Sequence, residues 1–324
     1  MSSRYVQPLR LVIQFGFLLF MLWLGLLFYR FVQAVSLGAG GAIPVRPGGI
    51  EGFLPISGLM GTVSWVKGGE INSIHPAAVV IFLTVILLSF LLRRSFCSWI
   101  CPIATISELL WKGGFRLLRR NYRLPMWADV TARSVKYLLM AFFVLSIVIG
   151  MSSHQLSGFI RSDYHLIADV RLMNFFLHMS QVALIVITVL LLLSVVLRNP
   201  FCRYLCPYGA LLGLVAVISP TRVTRNLDRC VSCGVCSQVC PTYIDVMHKT
   251  SVASPECLAC WRCVSHCRVN EALSMRAFQR FLVPGLVFAI LVVLVFWGGS
   301  VIGKLNGHWV SSITLEEYVR LLKK

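Results

Sequence analysis

Eight of the twelve cysteines in this chain fall into two runs of the same design. CVSCGVCSQVCP places Cys230, Cys233, Cys236 and Cys240 at C-x2-C-x2-C-x3-C-P spacing. CLACWRCVSHC repeats that spacing at Cys257, Cys260, Cys263 and Cys267. Thiolates are soft ligands that suit iron–sulfur clusters, and in paired runs the fourth cysteine of each completes the other's ligand set. The spacing therefore predicts one [4Fe–4S] cluster on Cys230, Cys233, Cys236 and Cys267, and a second on Cys257, Cys260, Cys263 and Cys240. Gly234 lets the backbone pass close to a cluster. Arg268 stands where a proline usually follows the second run; it removes no ligand, and the expectation is either an altered local turn or a positive charge near the first cluster that raises its potential. Zinc fits less well, since it takes two short-spaced cysteine pairs per ion. Disulfides are disfavoured on a reducing cytoplasmic face.

The other four cysteines form a second constellation. FCSWICP at 96–102 returns 105 residues later as FCRYLCP at 201–207, and residues 89–102 and 194–207 share seven of fourteen identities. Such a repeat in two parallel copies implies a pseudo-two-fold axis along the membrane normal. C-x3-C spacing puts both thiols on one helical face, and each following proline sits where a helix bends or ends. Brought together, Cys97, Cys101, Cys202 and Cys206 make a complete ligand set for a third metal centre, most simply another iron–sulfur cluster. Copper(I) also suits thiolates. A metal-free redox dithiol and inert packed cysteines remain open.

These residues need elements to position them, and the composition says what kind. The chain of 324 residues is 57% hydrophobic and only 13% charged, with mean hydropathy +0.80, against about 25% charged residues in soluble domains. It reads as an all-α polytopic membrane bundle of about five spans, at 11–32, 77–93, 137–152, 174–197 and 281–302. The first is read as a retained helix, since its apolar stretch is long for a signal peptide. An α+β dicluster segment is inserted before the last span. The organisation expected is a first helix and outer apolar loop (1–76), a membrane repeat core (77–220), the dicluster segment (221–280), and a last helix with an amphipathic tail (281–324).

Charge sets the orientation. Segment 93–136 holds nine basic residues and 198–280 holds ten, whereas 33–76 and 152–173 hold two each. The positive-inside rule places the two rich segments in the cytoplasm and the C-terminus outside. The net charge of +18 is then membrane topology and contact with anionic lipid, not nucleic-acid binding.

With these motifs on the page, the chain resembles a known family over roughly residues 75–280. A membrane bundle with two C-x3-C-P pairs and a cytoplasmic dicluster segment is similar to the ferredoxin-type quinol dehydrogenase subunit of periplasmic nitrate reductase. It is similar also to the membrane part of the nitrous-oxide-reductase regulator and to a cytochrome-oxidase assembly protein with copper-reducing activity. The resemblance implies electron transfer between the quinone pool, or a membrane redox partner, and other subunits of a redox complex in a bacterial inner membrane. A copper reductase or assembly factor is the alternative, and a subunit whose clusters are only structural is a third class. The fifth span and the apolar loop 50–66 depart from the family pattern and leave the partner open.

A quinone site needs an apolar cleft and a proton-accepting group. Glu108, on the amphipathic stretch after the first C-x3-C-P pair, is the candidate, with a solvated helix-face charge as the plain reading. His75, His154, His165 and His178 fall near the outer ends of spans. His75 and His178, on repeat-mate helices, are the pair a bis-histidine haem b would use. Interfacial capping is the preferred reading of these histidines, and the chain lacks a C-x-x-C-H motif for covalent haem. The segment 208–219 is too short to span and reads as re-entrant or interfacial. In the tail, Glu316 is spaced to pair with Arg320. No nucleotide-binding glycine motif is present.

Overall fold

The computed structural model describes residues 5–37, 44–69 and 71–322. In chain order the helices are α1 (Val6–Leu37), α2 (Pro55–Gly68), α3 (Pro76–Leu92), α4 (Ser95–Trp99), α5 (Pro102–Leu118), α6 (Met126–Val148), α7 (Ser153–Ile160), α8 (Asp163–Leu166), α9 (Ala168–Leu177), α10 (Gln181–Val196) and α11 (Pro207–Val217). There follow β1 (Thr221–Arg225), α12 (Val235–Gln238), β2 (Ser251–Val252), α13 (Arg262–Ser265), β3 (Leu273–Ala277), β4 (Phe281–Leu282), α14 (Gly285–Leu305) and α15 (Leu315–Leu322).

Among the described residues, α1, α6 and α14 are long and apolar enough to cross a membrane. The expected span 174–197 is two helices, α9 and α10, with a bend of 77° between them. The cause is local. His178 closes α9 with non-helical angles, and the Ser180 hydroxyl accepts from the Ala183 N–H at 3.2 Å, so a polar cap starts a new helix in mid-run. The expected span 137–152 begins eleven residues earlier, at Met126 directly after Pro125, because the polar turns at its start are satisfied by ion pairs described below. α3 is 17 residues long, shorter than a full crossing. The stretch expected to be an apolar loop at 50–66 is ordered as a 3-10 turn (Gly48–Phe53) followed by α2, which starts on Pro55 at its first helical position.

The chain divides into two compact units. The first contains residues up to Leu18, Val85–Met140 and Thr188–Val295. It carries all twelve cysteines and the four-stranded antiparallel sheet, in the order β2-β1-β3-β4. In its central pair Thr221 faces Ala277 and Arg225 faces Leu273. Close packing of α5 on α10 here depends on Gly114: a Cβ there would overlap the Val195 carbonyl oxygen, whereas one on Gly113 meets nothing within 4 Å. Gly114→Ala is expected to cost about 1–3 kcal/mol by overpacking, and Gly113→Ala to be neutral or slightly stabilising. Thermal unfolding of the two variants in detergent checks the contrast.

The second unit contains Leu19–Thr84, Ala141–Ile187 and residues from Phe296 onward. One core joins Phe28, Phe31, Val32 and Val35 of α1 to Ile167, Val170, Tyr318 and Leu321. The amphipathic tail is therefore docked on its own chain. The anticipated Glu316–Arg320 pair is not among the ion pairs of the described residues; Glu317 instead accepts from the Thr314 N–H at 2.9 Å and caps the start of α15.

Candidate functional site

The two cysteine runs fold alike. Cys230 and Cys257 are 27 residues apart, as are the short helices α12 and α13. Left-handed backbone recurs at the same offset: Ser232 (φ 50°) matches Ala259 (φ 49°), and Gly234 (φ 73°) matches Trp261 (φ 62°). Left-handed residues other than glycine cost roughly 1–2 kcal/mol each, and they cluster where a loop must curl around a ligand. Trp261 bears that cost while its ring is buried against Phe288, with centroids 5.7 Å apart.

Two cavities result. One is lined by Cys230, Cys233, Cys236 and Cys267; we call this the first site. The other is lined by Cys240, Cys257, Cys260 and Cys263; this is the second site. Each cavity thus draws three cysteines from one run and one from the other. The sites differ in exposure. At the first, Cys236 is buried but Cys233 is exposed and Val231 is 66% exposed. At the second, Cys240 and Cys257 are buried, and burial pushes the Cys260 thiol up to about 11. A thiol so placed is protonated when free and becomes a thiolate only with a strong partner such as a metal.

The C-x3-C-P pairs are built differently from the expected single helical face. Cys97 lies in α4, but Cys101 is the cap of α5, in extended backbone (φ −61°, ψ 120°). Cys202 lies in a wide, π-type turn at Phe201–Leu205, and Cys206 caps α11 (φ −73°, ψ 105°). The prolines are the reason. Each opens a new helix at its first position and forces the preceding cysteine out of helical angles. The Cys206 sulfur accepts from the Gly209 N–H at 3.2 Å. Even so the four thiols lie within electrostatic reach of one another, with Cys202 facing Cys97, Cys101 and Cys206. We call this the third site. Burial, with Cys97 alongside, pushes the Cys101 thiol up to about 12. The Arg94 guanidinium faces Cys97 and Cys206. Among the described residues no three His, Cys, Asp or Glu side chains converge on a single ion position. A cubane makes a different demand, because it spreads its four thiolates over four iron atoms.

The third site is fastened to the second by hydrogen bonds from both repeat copies. From the first copy, Arg93 donates to the Ser254 carbonyl (2.6 Å), Arg94 to that of Pro255 (3.2 Å), Ser98 to that of Leu258 (2.6 Å) and Trp99 to that of Ala259 (3.1 Å). From the second, Arg198 donates to the Gln238 and Cys240 carbonyls (both 3.1 Å) and Arg203 to that of Thr242 (2.6 Å). These are the loops that carry Cys257, Cys260 and Cys240. α11 packs on α3, where Ser89 donates to the Leu212 carbonyl at 2.7 Å.

Three buried carboxylates brace this junction, and sequence reasoning missed two of them. Glu256 accepts from Lys136 (2.7 Å to each oxygen), Tyr137 (2.9 Å) and Arg94 (3.4 Å). Asp129 accepts a two-toothed grip from Arg203 (2.8 Å twice) and a bond from Tyr204 (2.8 Å). The third, Glu108, is not the solvated charge or the proton acceptor considered above. Arg10 grips it at 2.6 and 2.9 Å, Lys112 lies at 2.6 Å and Arg262 at 3.5 Å. Burial opposes its charge, but the three cations outweigh that and hold the carboxyl well below the usual carboxylate range. A group held ionised in this way is a poor base for a quinol proton.

The histidine candidates separate. His75 is fully buried in the second unit. Its Nδ1 meets Glu51 at 3.2 Å and its Nε2 donates to the His165 carbonyl at 2.8 Å, so both ring nitrogens are engaged. Its ring neighbour is His165, at 4.9 Å between centroids, while His178 is exposed at the end of α9. The bis-histidine pair expected as the haem alternative is therefore not assembled. His154 is exposed. Arg46 bridges Glu51 (2.8 Å) and Asp169 (2.7 Å), and the Tyr318 hydroxyl donates to Asp169 (3.3 Å). Burial, with His75 alongside, pushes His165 down to about 4 and keeps it neutral.

Comparison with known proteins finds related sequences. A 4Fe-4S binding domain model matches twice, over residues 74–125 and 179–226, and a 4Fe-4S dicluster domain model matches residues 222–268. The chain is 37% identical over 308 residues to a protein of Escherichia coli (strain K12) called YccM and provisionally named an electron transport protein, covering 93% of this chain and 86% of that one. It is 28% identical over 226 residues to the ferredoxin-type protein NapH of the same strain, covering 66% and 72%. It is 28% identical over 175 residues to the regulatory protein NosR of Pseudomonas aeruginosa, covering 53% of this chain and 23% of that one. No solved structure matches the chain.

Proposed function

The chain belongs to the family of ferredoxin-type electron transport proteins with 4Fe-4S domains, and from that premise we propose that it is the membrane-bound electron-transfer subunit of a redox complex. It relays electrons between the quinone pool, or a membrane redox partner, and a partner oxidoreductase. Cys230, Cys233, Cys236 and Cys267 hold one [4Fe–4S] cluster. Cys257, Cys260, Cys263 and Cys240 hold a second. Cys97, Cys101, Cys202 and Cys206 hold a third metal centre. Bound clusters supply reversible one-electron transfer; the protein supplies position, burial and charge.

One observation carries the reading. Side chains of both C-x3-C-P segments hydrogen-bond to the backbone of the very loops that hold the second site. Such contacts hold the two sites at a fixed separation. The exposed first site is then the face offered to the partner. In this reading the basic segments 93–136 and 198–280 lie on the cytoplasmic side of a bacterial inner membrane, with the C-terminus outside. Residues 221–280 form the dicluster domain and 77–220 the membrane core.

The test is reduction by a quinol. The full chain in lipid nanodiscs, given a short-chain quinol, is expected to lose its iron–sulfur absorbance near 400 nm without added reductant. Arg93→Leu combined with Arg198→Leu is expected to keep the iron but slow that loss. A wild-type chain that dithionite bleaches and no quinol does would remove the quinone from the proposal.

A further inference from the structure

The first two turns of α1 present Gln7, Arg10 and Gln14 along one face, at the spacing that brings i, i+3 and i+7 together. Gln7 donates to the Cys260 carbonyl at 2.9 Å. Arg10, 1% exposed, donates to the Ser98 carbonyl at 3.0 Å and grips Glu108, and its charge faces the Cys260 thiol. Arg262, two residues after Cys260, reaches Glu108 at 3.5 Å and lies over the Trp111 ring at 4.6 Å; its buried Nε has no hydrogen-bond partner among the described residues. Lys112 is the third cation on Glu108. Three cations against one carboxylate leave two positive charges in excess. Lys112 is 28% exposed and partly solvated, but Arg10 and Arg262 are at most 15% exposed, and with one carboxylate between them one of their charges is uncompensated, which is costly for stability alone. The anion the cluster faces is the second site, whose four thiolates are there once metal is bound.

The first site has a smaller surplus. Arg225, its Nε buried without a partner, lies 3.6 Å from the Cys230 sulfur, while Arg268 is exposed and Arg229 is 54% exposed and closed on Glu271. Water and salt screen the two exposed charges, Arg229 and Arg268, leaving Arg225 alone against the first site.

We propose that Arg10 and Arg262, pinned by Glu108, form a charge device that stabilises the reduced, more negative state at the second site and sets its potential apart from that of the first. The proposal rests on the reading that both sites hold [4Fe–4S] clusters. Reduction adds one electron and breaks no bond; the buried guanidinium charges offset the added negative charge without a proton. Glu108 acts through position and partial neutralisation and touches no cluster. Arg10 and Arg262 are thus positioning residues for electron transfer.

The experiment is a redox titration of the full-length protein, followed by EPR, with iron counted for each variant. Arg10→Gln and Arg262→Gln are each expected to make reduction of one dicluster signal about tenfold less favourable, a shift of about 59 mV for a one-electron couple. The other signal stays in place, and Arg10→Lys largely restores the wild-type value. Glu108→Gln is expected to move the same signal the opposite way. Opposite signs separate a charge effect from loosened packing, which would move both variants together. Shifts of the same sign, equal shifts of both signals, or none overturn the proposal. Should Arg10→Gln fail to assemble, Glu108→Gln alone decides by its sign. A wild-type chain without two dicluster signals would instead sink the underlying reading, so the two failures are distinguishable.

Discussion

Changing Cys97 and Cys202 to serine is expected to remove about four iron atoms from a chain that otherwise binds about twelve. The two residues come from different repeat copies, and each loses one sulfur of the set that faces Arg94 and Tyr208. A cluster with two of its four thiolates replaced is not expected to survive purification. The eight cysteines of the dicluster segment are untouched, so about eight iron atoms and both dicluster EPR signals should remain. Iron, sulfide and copper per chain, measured for wild type and variant, check this. Eight iron atoms in both, with copper lost from the variant, would turn the third site into a copper site and the protein toward metal reduction. Eight in both with no copper would leave the C-x3-C-P pairs as dithiols or packing.

The motif-bearing residues were the most legible part of the chain. Cysteine spacing alone separates the eight dicluster residues into two runs, because coordination chemistry depends on spacing along a short loop. Left-handed backbone at Ser232, Ala259 and Trp261 was hidden, because only Gly234 announces such a conformation by residue type. The C-x3-C-P pairs were legible as a repeat and misjudged in shape. The prolines read as helix ends, but their effect on the residue before them, which puts Cys101 and Cys206 at caps, is the stronger constraint.

Hydrophobic length gave spans well where a helix is uniform, as in α1 and α14, and failed where polar residues end or extend one. Ser180 looks like any small residue in an apolar run until its hydroxyl caps α10. Asp129, Arg133 and Lys136 look like an exposed loop until the tertiary fold supplies Arg203 and Glu256 as partners. Their spacing of four and three residues is the signal that was available: one helical face carrying charge directly into an apolar run. Glu108 was found as a residue and misread in role, since nothing local shows that Arg10, ninety-eight positions earlier, closes on it.

That burial of charge leads to the second large expectation. Lys136→Met should cost about 3–5 kcal/mol, because it leaves the Glu256 carboxylate buried without its nearest cation. Tyr137 and Arg94 remain, but Arg94 lies 3.4 Å away and also serves Cys97 and Cys206. Glu256 is directly before Cys257, so strain at the carboxylate falls on the second site. The expected outcome is a lower unfolding midpoint in detergent and earlier loss of the iron–sulfur absorbance from the same sample. Restoring balance by Lys136→Met with Glu256→Gln should return much of the loss, since a neutral amide can still take the Tyr137 hydroxyl bond and carries no orphaned charge; the coupling in that double-mutant cycle isolates the pair. The exposed pair Arg229–Glu271 is the control, where removing the arginine should cost no more than about 1 kcal/mol. Equal losses at the two pairs would mean that Lys136 is solvated in the membrane-bound protein, and that the loop bearing Cys257 is held by its backbone hydrogen bonds rather than by buried charge.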